Sequence, residues 1–284
     1  MKLSKIFALL LALCLISSAA CAATFTDAHG NVIELDDSLE AYAAVTLVGA
    51  DNAARQGETN LGDLWADALR WFAVSGEINA AFDEDDVKAG NDHIAVDADH
   101  VVALWNGGNL RADIAEGTFG AEALAEVLPF PNKVAVVYMT GAQLLETLEA
   151  ASQGLPYTAE TADACASLMQ VSGLTYTVDT AKAYDALEAY GDHWFTAGSV
   201  SRVSISDVNG QPFDETATYA VVTSNANFNG MDSSYVLKAA AEANEQSAVT
   251  TAVVRDVVFR FIAAELNHQI GETYAAPQGR LTVL

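Results

Sequence analysis

Positive charge is scarce in this chain. Only 13 of its 284 residues are Lys or Arg, against 38 Asp and Glu, and the formal charge is −25. A chain this acidic repels nucleic-acid backbones and anionic lipid headgroups, so nucleic acid is set aside as a partner. The same scarcity makes each Arg in an unusual setting a candidate anion ligand. Cysteine is nearly absent: Cys14 and Cys21 fall at the N-terminus, and Cys165 alone cannot form an internal disulfide. The fold must therefore rest on its core, with Cys165 read as a small buried residue. Histidine is sparse and scattered, at His29, His93, His100, His193 and His268. Asp97, Asp99 and His100 could hold a cation, but the segment 83–100 around them is Asp-rich and reads as a solvated loop or edge. No metal or other cofactor is expected. Beyond the first 22 residues there is also no apolar run long enough to cross a bilayer.

What is present begins with Lys2 and Lys5, an apolar run from Ile6 to Ile16, and the small residues Ala20-Cys21-Ala22. This is the pattern of an export signal over residues 1–22, with lipid attachment at Cys21 as the minority reading. Residues 23–44 are assigned to a hairpin and extension, and 45–284 to one folded domain. Apolar residues make up 51% of the sequence, enough for a sizeable core.

Periodicity places a hairpin over 24–35 around Gly30-Asn31 and a helix over 60–73, capped by Thr59 or Asn60. Strands are expected at 101–105 and 134–139, the second followed by the capping box Thr140/Gln143. Further strands are expected at 171–179, 200–208 and 218–224, with a turn at Asn209-Gly210. A last long helix is expected over 247–267. Alternating strands and helices make a mixed α/β domain.

Three segments invite chemistry. The first runs from Arg55 to Leu64. The second runs from Trp105 through Asn106-Gly107-Gly108-Asn109-Leu110-Arg111 and continues at Val127-Leu128-Pro129-Phe130. The third is Asn229-Gly230-Met231-Asp232-Ser233-Ser234-Tyr235. A strand ending in a glycine turn lets backbone approach a ligand closely. Arg111, just beyond, offers a bidentate fork to an anion or hydroxyl, or simply pairs with a nearby acid. Arg55 carries the same two readings, with Glu58 as its local partner. Phe130 is either a core aromatic or a stacking platform. Asp232 is either a turn or cap residue or a ligand for sugar hydroxyls.

Taken together, these segments resemble the C-terminal domain of the 5'-nucleotidase family. That family shows R-x-x-E-x-N-L-G, N-G-G-G-I-R, L-P-F-G-N, T-G-x-x-L and N-F-x-x-N-G-G-D-G-Y in this order. Thr140-Gly141-Ala142-Gln143-Leu144, Gln170-Val171-Ser172-Gly173-Leu174 and Gly279-Arg280-Leu281 extend the match over about residues 45–284. The resemblance implies a layered α-β-β-α fold and a nucleoside or nucleotide ligand, in nucleotide catabolism or salvage. It implies that Arg55, Asn106 and Arg111 line the pocket, that Phe130 is one face of an aromatic clamp, and that Asp232 binds the ribose. Two positions depart. Ala226 stands where the second clamp ring falls, with Phe228 as the candidate replacement. Met231 and Ser233 replace glycines, which would strain Met231 if that site needs positive φ.

Of the family's metallophosphoesterase motifs, G-N-H-D/E and H-x-H do not occur in this sequence, and the one D-x-H triplet, Asp27-Ala28-His29, stands without them. The implied role is ligand binding without catalysis by the chain alone. Alternatives are the specificity part of a split phosphoric monoester hydrolase, working with a separate metallophosphoesterase chain, and a surface protein with a degenerate pocket.

Overall fold

A computed structural model describes residues 22–26, 32–36, 40–190 and 194–284. The expected leader through Cys21, the expected turn at Gly30-Asn31, His29 and His193 lie outside the described residues. The unbroken apolar run at 101–105 is what a strand covered on both faces requires. Val101–Asn106 (β1) is buried along its whole length. It lies in a five-stranded sheet with Lys133–Thr140 (β2), Met169–Ser172 (β3), Thr218–Ser224 (β4) and Ala248–Val253 (β5). The spatial order is β5-β2-β4-β1-β3. β4 and β1 run parallel, and every other neighbouring pair is antiparallel.

Side chains alternate across this sheet into two cores. Val101, Ala103 and Trp105 enter one, closed by Asn60–Val74 (α1) and the later Val254–Ala264 helix. Val102 and Leu104 enter the other, where Gly141–Ala151 (α2), Tyr235–Ala243 (α3) and a second sheet pack. That sheet orders Gln211–Pro212, Val203–Val208, Leu174–Val178 and Leu281–Val283. Helices and sheets thus stack in layers, the mixed α/β arrangement expected from the sequence. The Val254–Ala264 helix is called α4 below.

α1 forms where expected because Leu61, Leu64, Trp65, Ala68, Leu69 and Phe72 share one face, and all six are fully buried. Trp65 packs on Trp105 of β1 with ring centroids 6.2 Å apart. Of the two cap candidates, Thr59 does the capping: its side chain accepts from the Gly62 N–H at 3.0 Å. Thr59→Ala should cost about 1 kcal/mol in a urea melt. The Thr140/Gln143 capping box forms as expected at the start of α2. Asn209 and Gly210 adopt φ of 52° and 76°, closing the turn into Gln211–Pro212.

The structure corrects the sequence reading in four places. Residues 247–253 are not helical: Ala248–Val253 is an edge strand on β2, and α4 starts only at Val254. Thr and Val dominate this stretch, and the Thr250 hydroxyl donates to the Val134 carbonyl at 2.9 Å. The single strand expected at 171–179 is two, β3 and Leu174–Val178, parted at Gly173, whose φ of +81° turns the chain from one sheet to the other. Within 83–100, Glu84–Ala89 is a short helix, because Asp83 caps it by accepting from the N–H groups of Asp85 and Asp86. Glu40–Ala43, grouped with the N-terminal extension, is the middle strand of a small sheet between Gln269–Ile270 and Gly117–Gly120. The hairpin before it pairs Ala22–Thr26 with Val32–Asp36. Among the described residues, no helix is long and apolar enough to cross a membrane.

Candidate functional site

Sheet register decides which loops can meet. Asn106, the last residue of β1, lies opposite Met169, the first of β3. Ser224, the last of β4, lies opposite Val134 near the start of β2. Because β1 and β4 are parallel, the segments following both emerge at one end of the sheet. The antiparallel register brings the segments preceding β2 and β3 to that same end. Asn106, Phe130 and Asp232 therefore belong to one loop cluster although over 120 residues separate the first from the last.

The paired glycines after Asn106 allow neighbouring turns to close in. A Cβ at Gly107 would lie 1.9 Å from the Ala54 carbonyl oxygen, and one at Gly108 would lie 2.6 Å from the Ala166 Cβ. Only glycine lets the 53–55 and 164–167 turns press against the 107–109 turn. The first of these turns carries Arg55. Gln170, buried on β3, clamps that segment: its Oε1 accepts from the Thr59 N–H at 3.0 Å, and its Nε2 donates to the Ala54 and Gly57 carbonyls at 3.0 and 2.9 Å. Sequence reasoning quoted Gln170 in a motif without seeing this role.

Direct contacts join four of the five principal candidates in two pairs, and Arg55 reaches the others only through its charge. The Asn106 side-chain amide donates to Asp232 Oδ2 at 2.7 Å. Arg55 is buried and donates to the Ala162 carbonyl at 2.8 Å, with the exposed Asp163 carboxylate 3.7 Å away. The Arg111 N–H donates to the Val127 carbonyl at 2.9 Å, tying its segment to the one that carries Phe130. Its guanidinium lies over the Phe130 ring, 5.7 Å from the centroid. Phe130 is 43% exposed, so it is not a core aromatic.

The charges interact. Burial pushes the Asp232 carboxyl above the usual aspartate range, while the nearby Arg55 and Arg111 pull it back down. Burial and the repulsion from Arg55 lower Arg111, against the attraction of Asp232. Among the described residues, Asp232 Oδ1 accepts no hydrogen bond and the Arg111 guanidinium donates none. The site thus presents a free carboxylate oxygen, a free guanidinium fork and an exposed ring side by side, a set suited to a polar ligand with a flat part.

The loop carrying Asp232 differs from its expected strain. Met231 is not in the left-handed region. Asp232 and Ser233 are, at φ of 52° and 60°, beside Gly230 at 90°. Asp tolerates this conformation, whereas Ser233 is held in it by burial and by the Gln153 side-chain amide, which donates to its hydroxyl. Asn227, fully buried, steadies the same loop by donating to the Ser234 hydroxyl at 2.9 Å. Phe228 does not join the others: it packs against the second core, and among the described residues it makes no ring contact with Phe130. Phe228 follows Asn227 on the short Asn225–Phe228 helix, which packs against β2, β4 and α3.

Comparison with known proteins agrees with this architecture. A sequence profile described as 5'-nucleotidase, C-terminal domain, matches residues 40–239. A 5'-nucleotidase precursor from Thermus thermophilus superposes with a TM-score of 0.61 at 28% identity, over 86% of this chain and 39% of that one. The NAD nucleotidase of Haemophilus influenzae shares the fold, with a TM-score of 0.57 at 14% identity, over 92% of this chain and 48% of its own. A trifunctional nucleotide phosphoesterase of Bacillus subtilis is 31% identical over 136 residues, which are 48% of this chain and 8% of that protein. The chain spans less than half the length of each of these relatives. It belongs to the 5'-nucleotidase C-terminal domain family.

Proposed function

We propose that this chain binds the nucleoside part of a nucleotide or nucleoside at the loop cluster formed by Arg55, Asn106, Arg111, Phe130 and Asp232, and that it acts outside the cytoplasm in nucleotide catabolism or salvage. The observation that carries this reading is the set of unsatisfied groups at one end of the central sheet: Asp232 Oδ1 for sugar hydroxyls, the Arg111 fork for a polar edge or phosphate, and the exposed Phe130 face for a base. With Ala226 in place of a second ring, the base is stacked on one side only. Stacking on an aromatic contributes about 1–3 kcal/mol per base, so affinity should be modest. Isothermal titration with adenosine and AMP should give saturable heat in the micromolar to millimolar range, accompanied by a rise in melting temperature. No heat and no melting shift at millimolar ligand would reject the reading.

A second reading extends the first. The G-N-H-D/E and H-x-H motifs of a two-metal phosphoesterase centre do not occur in the sequence, and its five histidines are scattered. Hydrolysis of a bound nucleotide would then be the work of a metallophosphoesterase partner, to which this chain contributes specificity. Co-purification with such a partner, and faster hydrolysis of AMP by the mixture than by the partner alone, would support it. A third reading, a surface protein with a degenerate pocket, draws on Ala226 and on the core packing of Phe228; the same titration decides against it if ligand binds.

A further inference from the structure

We propose that Asn109 is a positioning residue: it locks the Asn106 carboxamide with its nitrogen toward Asp232, so that one Asp232 oxygen is satisfied inside the protein and the other is left for ligand. This rests on the reading of the loop cluster as a nucleoside site. It concerns a residue that stands where the resembling motif N-G-G-G-I-R has its third glycine.

Asn106 is fully buried, so its amide must find partners in the protein. A carboxamide has one acceptor oxygen and one donor nitrogen, and it fits in two orientations related by a flip. Around Asn106 the surroundings distinguish them. Asp232 Oδ2 at 2.7 Å and the Ala166 carbonyl at 3.4 Å are both acceptors. The Asn109 side-chain nitrogen, 2.8 Å from Asn106 Oδ1, is the donor on the opposite side. Flipping the amide would set its oxygen against a carboxylate and a carbonyl and its nitrogen against a donor.

Asn109 is itself buried, at the end of the 107–109 turn, where Gly107 and Gly108 fix the backbone between two neighbouring turns. Its side chain therefore has little freedom to release Asn106. A glycine at this position would leave the Asn106 oxygen without that donor. Arg55 and Arg111 are the charged groups whose fields reach Asp232, and neither hydrogen-bonds to it. Asn106 is the only hydrogen-bond donor to the Asp232 side chain among the described residues, so by holding the Asn106 oxygen Asn109 helps keep that donor on the ionised carboxylate.

The test uses the full chain carrying Asn109→Leu, which keeps the branched shape without a donor, and Asn109→Ala, which removes the side chain beyond Cβ. Titration of the Asp232 carboxyl carbon by NMR without ligand should show its midpoint moving to higher pH in both variants. Adenosine affinity at pH 7 should fall about tenfold, and the melting temperature should fall by at least as much as in the Thr59→Ala variant, because the buried Asn106 oxygen loses its donor. An unchanged Asp232 midpoint in both variants would overturn the proposal. If the wild type binds no nucleoside, the functional reading fails while the midpoint still reports on Asn109 separately.

Discussion

Arg111→Ala should weaken nucleotide binding about ten- to hundredfold while leaving the melting temperature almost unchanged. The magnitude follows from losing charge-assisted hydrogen bonds, each contributing about 1.5–3 kcal/mol, or one to two factors of ten. The small stability effect follows from the geometry: the guanidinium donates to no protein acceptor among the described residues and is exposed over Phe130. Asp232→Asn should also lower affinity, and it should remove a pH dependence. Burial raises the Asp232 carboxyl above the ordinary aspartate range. On acidification, wild-type binding should therefore weaken earlier than a normal aspartate would allow, whereas the Asp232→Asn variant should stay flat over the same range. Titration calorimetry from about pH 4.5 to 7.5 checks both. Equal affinities for wild type and Arg111→Ala would separate the loop cluster from ligand binding.

The second large effect concerns stability. Asp63, in the first turn of α1, is completely buried, and burial pushes its carboxyl up to about 8, helped by Glu58 and opposed by Arg280. Asp63 Oδ1 and Glu58 Oε1 are both buried atoms without a hydrogen-bond partner. A proton placed between the two carboxyls satisfies both. Their other oxygens hold the C-terminal segment: Asp63 Oδ2 accepts from the Gln278 N–H and Glu58 Oε2 from the Leu281 N–H, each at 3.0 Å. Arg280 forks onto Asp67 at 2.8 Å through both terminal nitrogens.

The sign is set by proton linkage. The folded carboxyl is raised above its unfolded value of 3.8, so the folded state binds the extra proton. Its contribution is fully present below about pH 4 and is lost as pH rises toward 8, by of order a few kcal/mol. Asp63→Asn keeps the shape, supplies an amide hydrogen toward Glu58 and removes this titration. Urea melts at about pH 5, 6.5 and 8 should show wild type losing stability with rising pH and the variant losing much less. Parallel pH profiles for the two proteins would show that the carboxyl pair holds no proton.

Much of the fold was legible in the sequence, for physical reasons that differ by element. α1 was readable because six apolar side chains recur at helical spacing and all six enter one core. β1 was readable because both its faces are covered, which demands an unbroken apolar run. The capping box and the Asn-Gly turn are local chemistry, complete within a few residues. Ala248–Val253 was misread because its apolar positions also fit a helix, and only the free edge of β2 turns it into a strand. Gly173 looked like an interior position because the sequence does not say that its neighbours belong to different sheets.

The chemical candidates were legible only as residues. Composition and local chemistry marked Arg55, Arg111, Phe130 and Asp232 as worth attention and the glycines after Asn106 as a close approach, and the family resemblance added Asn106. Whether Phe130 faced solvent, whether Phe228 faced a ligand, and which of Met231, Asp232 and Ser233 took a left-handed backbone depended on contacts from distant segments. The sequence by itself determined the local elements, the acidic surface and the identity of the polar groups, because these depend on residue type and short-range periodicity. Tertiary structure alone decided which of those groups meet. Their convergence comes from strand direction and register, which put the end of β1, the end of β4 and the start of β2 at one rim, and such long-range pairing leaves no mark on any single stretch of chain.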